Sequence, residues 1–500
     1  MAVMRYAVDG INGDASNTAV SAFEGDFSNA VVDIYDAIDK ANTIHQADST
    51  HTVIIEVSGG PSGVTYTPWH NLVFTSSGTG YTASGGFSPH GNFVGDYGIV
   101  GSKVAGHDGQ VTIDASTITT YSPYSAVLAS NRKGTLFERL EVINTPHSSP
   151  SKDAVLMSTA NKSAIRDCIL HQGSHAIWCK RAEDIEITGN FCIGGSGNNA
   201  SCIKLEQDQL AQSTRGLVAN NYIWKGGSSS GVAAHFAIQL NGTMDCEVYN
   251  NTIVDTVTDG IGIIANKLGE GSANNTVYNN IVVNSTDNGN AGAAGHDIVL
   301  DAASLAAGGN VIDYNTYSTN RYYLGGSFGP SANDGMSGGQ VYTSLADWQT
   351  ATSQDANSIT DAPSFVDGAS PSYQEGAKLL AGSPQIGAGT DISWTTPNWT
   401  DYTFSKDILG VEYSSPPNMG AVASHVLVVG DWVKVSNTGF GALIQAYGNS
   451  DIKVKYSANK PVDESDSYMI RDAFEFPAIS GKSIWVIAEE GTIISKIEIS

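Results

Sequence analysis

The sequence predicts an all-β solenoid, a chain wound into a coil of short strands with each turn stacked on the one before. Three observations lead there. VYNNTIV, starting at Val248, returns as VYNNIVV, starting at Val277, so nearly the same seven residues recur after 29 positions. Apolar runs through the middle of the chain place Val, Ile and Leu on every second residue, which is the period of a strand. Composition agrees: 55 of 500 residues are Gly and only 15% are charged, a texture of many turns rather than of helices.

Each element follows from the repeat. Aligning on the second Asn of VYNN gives a column of Asp167, Asn190, Asn221, Asn251, Asn280 and Asn315, spaced by 23 to 35 residues. Repeats of that length mark a solenoid or an array. A second apolar run precedes each Asn: AVLM at 154, AIWC at 176, CIKL at 202, AIQL at 237, GIGII at 260 and DIVL at 297. Gly, Asn and Ser separate the runs without a helical pattern, which excludes helical solenoids, and the repeats are too short for four-stranded propeller blades. Two or three strands per turn, stacked at about 4.8 Å, fit the period. The column Asn is expected to turn the corner between strands, since Asn tolerates the left-handed region. Stacked amides would also bond to one another along the column.

With these features the chain resembles the right-handed parallel β-helix proteins of the pectate-lyase-like superfamily. The resemblance begins at YAVDGINGD (6–14) and at AVVDIYDAIDKAN, where Val31, Ile34, Tyr35, Ile38 and Ala41 share one helical face. It implies a helix plugging the N-terminal end of the coil, whose open edge would otherwise attract other strands. SLADWQTATSQDANSI, PSFVD, LLAGSPQIGAGTDIS and NMGAVAS are similar to the family's closing segment. The domains expected are a cap over 1–52, coils over 53–325, a closing segment over 326–424 and a small C-terminal β domain over 425–500. That last stretch alternates densely and lacks the Asn corners, as in DWVKVS and IKVKYSANKP, and resembles β-sandwich-like modules on bacteriophage virion proteins. A carbohydrate-binding or anchoring module on a bacterial enzyme is the alternative.

Formal charge is −25 at neutral pH, so neither nucleic acid nor an anionic membrane surface is an expected partner. No run of eighteen apolar residues and no signal-peptide pattern is present, so neither membrane insertion nor ordinary secretion is expected. Five cysteines in apolar runs, with no CxxC, read as reduced core residues. Cytoplasmic assembly into a virion is the expected location, and an extracellular enzyme is the alternative. The resemblance implies a spike or fibre that binds host surface polysaccharide as a homotrimer among other virion proteins, with depolymerisation or pure decoration as further readings.

The candidate ligand face comes from strand parity. If Ile177, Ile203, Ile238, Ile261 and Ile298 point inward, then Trp178, Lys180, Lys204, Glu206, Gln239 and Asn241 point outward together, followed by Gly262, Val299 and Asp301. An aromatic platform beside planar polar groups is what grips sugars. Lys204, Glu206 and Asp208 are the catalytic candidates should the chain act as a polysaccharide lyase or glycoside hydrolase. Lys180 and Arg181 lie beside them as further bases, and Glu206 with Asp208 is the nearest local carboxylate pair. His175, His235 and His296 precede inner strands and are expected to be structural more often than proton carriers. No calcium-loop motif or other cofactor signature occurs, so no cofactor is expected, a divalent cation without a motif being the alternative.

Overall fold

The computed structural model describes residues 3–422, with gaps at 15–16, 18–19, 22–25, 35, 39, 41–51, 69–71, 75–96, 119–125, 132, 147–151, 172, 195–200, 208–213, 227–235, 257–258, 286–294, 329–335, 381–382, 393–405, 410–412 and 414–416. Beyond 422 it describes the backbone of seven strands.

Three long sheets of eleven, nine and ten strands run the length of the coil, and each turn contributes one strand to each. The turn that opens at VYNN supplies Glu247–Tyr249 to the first sheet, Thr252–Val254 to the second and Asp259–Ile264 to the third. The next turn repeats the set: Val248 pairs in parallel with Val277, and Ile253 with Val282. Such a parallel β-helix hides its backbone polar groups in ladders between turns, leaving side chains alone to fill the interior.

The predicted inward stack is correct. Ile177, Ile203, Ile238, Ile261 and Ile298 pair in register and are fully buried. All five cysteines are free and buried, as expected of small core residues. At the N-terminal end Val31, Ile34, Ala37 and Ile38 are buried, and Val31 bridges to Val8 of the first strand, Val3–Asp9. Tyr35 and Ala41 of the predicted face lie outside the described residues. The opposite end is closed by Leu345–Thr352, a helix capped by Ser344, whose buried Trp348 stacks on Tyr322 at 5.5 Å. In the tail, antiparallel strands form one sheet of four and one of three.

The corner asparagines divide their work differently from the prediction. The left-handed residue is the first of each pair: Asn220, Asn250 and Asn279 all have φ between 50° and 57°. The second Asn keeps negative φ and builds the ladder. Asn190 Nδ2 donates to Asn221 Oδ1 at 3.0 Å, Asn221 to Asn251 and Asn251 to Asn280 at 2.9 Å, and Asn280 to Asn315 at 3.0 Å. Each oxygen also accepts the backbone N–H of the preceding ladder Asn. Asp167 therefore does not belong to the ladder column. Its φ is 51°, and the ladder position in that turn is Cys168, whose N–H donates to Asn190 Oδ1. The ladder ends on Asp355, a buried carboxylate that accepts from Trp348 Nε1 at 2.7 Å and from the Tyr317 hydroxyl at 3.1 Å.

Candidate functional site

Six predicted face residues come together on the outside of the third sheet. Trp178 and Lys180 sit in the strand Ile177–Lys180, Lys204 and Glu206 in Ile203–Glu206, and Gln239 and Asn241 in Phe236–Asn241. Parallel register aligns Trp178 with Lys204 and Gln239, and Lys180 with Glu206 and Asn241. The result is a grid two residues wide and three turns tall, with about 4.8 Å between turns.

Contacts inside the grid are specific. The Trp178 indole N–H donates to Glu206 Oε2 at 2.9 Å, and Lys204 Nζ lies 3.3 Å from the same oxygen. Lys180 and Lys204 place their ammonium groups 5.0 and 5.4 Å from the Trp178 ring centre, within cation–π range. Ser201 donates to Gln239 Oε1 at 2.5 Å and so fixes that amide. Asn241 is nearly buried, and its Oδ1 has no hydrogen-bond partner. Lys204 and Glu206 side chains are each only 11% exposed, so the face is a niche rather than the open platform that strand parity alone suggested. Apolar groups bracket it: Leu156 packs below Trp178, while Phe236, Ile264, Val299 and Tyr323 cluster above. A Cβ on Gly262 would meet the Phe236 ring at 2.4 Å, so glycine here lets that ring lie across the strand.

Other predicted residues fall elsewhere. Asp301 caps the short helix Ala302–Ala307, accepting from Ser304 N and from Ala265 N, and burial raises its carboxyl above the usual range. Arg181 turns the chain after Lys180 with φ 52°, its N–H on the Glu206 carbonyl. Asp208 and His235 lie outside the described residues.

Histidine pairing was not legible from single runs. His175 directs both its backbone N–H and Nδ1 at Asp153 Oδ1, at 3.0 and 2.8 Å. His296 does the same with Asp259 Oδ1, at 2.8 Å for both. In each pair an Asp two residues before an inner Ile (or Val155) is answered by a His at the same offset in the next turn. DAVLM followed by HAIWC was the available signal. These are corner clamps, though His175 also packs against Trp178 at 5.1 Å between ring centres. A second cluster, Asp9, Ser58 and His107, has the composition of a catalytic triad. Ser58 Oγ at 2.8 Å and Asp9 Oδ2 at 3.8 Å both approach the same Nδ1, and Ser58 is fully buried. A relay needs the two ring nitrogens to serve different partners, so this cluster only ties the first turns together. Among the described residues no group of three His, Cys, Asp or Glu could hold a metal, and no helix is long and apolar enough to cross a membrane.

Residues 97–310 match a family model described as the right handed beta helix region. This is a right-handed parallel β-helix protein. Solved structures similar to it include pectate lyase Pel9A, at 13% identity and TM-score 0.37 over 85% of this chain and 97% of that one. A rhamnogalacturonan lyase matches at 11% identity and TM-score 0.34 over 71% of this chain and 87% of that one. A DFA-IIIase from Arthrobacter chlorophenolicus A6, in complex with GF2, matches at 11% identity and TM-score 0.32 over 69% of this chain and 88% of that one. No curated protein matches the sequence.

Proposed function

We propose that this β-helix protein binds polysaccharide in the Trp178 niche and serves as a bacteriophage spike or fibre that docks on host surface glycan. The observation that carries the reading is the grid itself. Three successive turns present an indole, two ammonium groups, a carboxylate and two amides on one strip bounded by apolar side chains. Sugars need that combination, an apolar face beside planar groups that each make directed hydrogen bonds. The unpartnered Asn241 oxygen adds an acceptor that a sugar hydroxyl would satisfy.

Binding is favoured over cleavage by the state of Glu206. Its Oε2 already accepts from Trp178 and lies against Lys204. A general acid must instead carry a proton toward a leaving group, and a lyase base must be free of such a partner. Names of the similar structures, two lyases and a DFA-IIIase, accord with carbohydrate as ligand class. The virion role, homotrimeric assembly and contacts with other virion proteins rest on the tail's resemblance to phage modules.

The test is adsorption. The purified chain, fluorescently labelled, should bind host cells, and extracted surface polysaccharide should compete it off. Peptides from it should also appear in purified particles. Adsorption that polysaccharide leaves untouched would sink the glycan reading, and absence from particles would sink the virion role.

A further inference from the structure

Two side-chain amides finish the niche, and each leaves one end open. The Ser201 hydroxyl accepts Phe236 N–H at 3.2 Å, so its own proton is left to give to Gln239 Oε1 at 2.5 Å. That bond turns the Gln239 carbonyl toward Ser201 and its NH2 group away, where it bonds to no described residue. Asn241, two residues further along Phe236–Asn241, offers the opposite polarity. Its Oδ1 is buried and without a partner. Outward side chains two residues apart on a strand stand about 6.6 Å apart, which leaves room for one planar amide bonded at both ends. One turn above, Gly262 aligns with Gln239 and Ile264 with Asn241. The Phe236 ring lies over Gly262, and Ile264 and Val299 extend it into an apolar wall.

We infer that the niche recognises the acetamido group of an N-acetylated amino sugar, an inference that rests on the niche being a glycan site. Gln239 Nε2 donates to the acetamido carbonyl, Asn241 Oδ1 accepts the acetamido N–H, and the methyl group turns to the wall of Phe236, Ile264 and Val299. A pair of sugar hydroxyls also offers a donor and an acceptor. Each hydroxyl, however, would hold lone pairs against that wall with nothing to meet them. An amide N–H is satisfied by one bond, and its methyl gains from the apolar contact. Enclosure points the same way: Gln239 is 7% exposed and Asn241 9%, so a small planar substituent enters where a whole ring does not. The group is uncharged and leaves the contact between Lys204 and Glu206 in place. Discrimination is steep, because a sugar lacking the N–H leaves the buried Asn241 oxygen unpaired.

The test is saturation-transfer NMR on the full-length chain with N-acetylglucosamine, N-acetylgalactosamine and N-acetylmannosamine, each beside its parent hexose. At least one N-acetyl sugar should bind about ten-fold or more tighter than its parent, with the acetamido methyl receiving the strongest transfer. Gln239→Glu keeps the oxygen that Ser201 meets and loses the NH2 group, while Asn241→Leu keeps the size and loses the acceptor. Each should weaken that sugar about ten-fold or more, and Gln239→Glu carries the test should Asn241→Leu fail to fold. Equal binding of N-acetyl sugar and parent hexose, lost in Trp178→Ala, would overturn the acetamido assignment and leave the glycan site standing. Absence of transfer to every acetamido methyl would overturn it too. Host polysaccharide that still bound would then keep the glycan site, and polysaccharide that did not bind would remove both.

Discussion

Replacing the two asparagines of one VYNN corner should have opposite consequences. Asn251 Oδ1 accepts from Asn221 N and Nδ2, and Asn251 Nδ2 donates to Val218 O and Asn280 Oδ1. In Asn251→Ala the Asn221 amide keeps its bonds to Ile187 O and Ala219 O, and Asn280 Oδ1 keeps the Asn251 backbone N–H. The Asn221 backbone N–H loses its acceptor, Asn251 Oδ1. A stranded buried donor costs about 1–3 kcal/mol, and the three other lost bonds add about 1 kcal/mol each, so the variant should lose roughly 4–6 kcal/mol. Asn250 is different: it is fully buried, left-handed at φ 50°, and neither side-chain polar atom has a partner. Asn250→Gly removes the left-handed strain, about 1–2 kcal/mol, and two unsatisfied atoms, against an entropy cost of about 1 kcal/mol for glycine. It should be neutral or stabilising. Urea unfolding followed by far-UV circular dichroism, with the slope checked for constancy, reads both. Equal losses for the two variants, or a loss below about 1 kcal/mol for Asn251→Ala, would refute the division of labour within the corner.

Two further outcomes follow from single residues. Burial of Asp297 outweighs the hydroxyls of Ser285 and Thr319 and the N–H groups of Arg321 and Asn320, pushing its carboxyl from 3.8 up to about 7. The folded chain then holds this proton more tightly than the unfolded chain, so stability from this group is full below about pH 4 and falls as pH rises to about 7. A shift of that size corresponds to at most about 4 kcal/mol. Asp297→Asn, which mimics the protonated form, should flatten this dependence in melts from pH 4 to 8, and an unchanged slope would count against it. At Gly194 a Cβ would lie 1.5 Å from the Lys225 carbonyl oxygen, where only backbone movement makes room. Gly194→Ala should cost more than about 4 kcal/mol or prevent folding, and a soluble variant with wild-type melting would contradict the packing of these two turns.

Much of the fold was legible because a solenoid writes its period into the chain. Inner Ile residues at every second position named the core face, and with it the outer grid from Trp178 to Asn241. The ladder column was visible as well, but its register was not. Both residues of an Asn pair can turn a corner or stack, and only the backbone geometry shows that the first turns and the second stacks. Asp167 entered the wrong column for that reason. Enclosure of Lys204 and Glu206 was also hidden, because parity says which way a side chain points and nothing about what packs over it. The Asp153–His175 and Asp259–His296 clamps join neighbouring turns and leave no mark within any one strand.

The central claim is that the Trp178 niche is a glycan site, and the most direct measurement is calorimetric titration of host surface polysaccharide into wild-type chain, Trp178→Phe and Trp178→Ala. Trp178→Phe keeps a ring but loses the N–H to Glu206, and Trp178→Ala loses both. One to two kcal/mol of ring contact corresponds to roughly a five- to thirty-fold weakening. Measurable binding by the wild type, weaker binding by Trp178→Phe and a loss of about five-fold or more in Trp178→Ala are expected, with all three folded by circular dichroism. Equal affinity in all three would place the ligand elsewhere on the molecule and contradict the account.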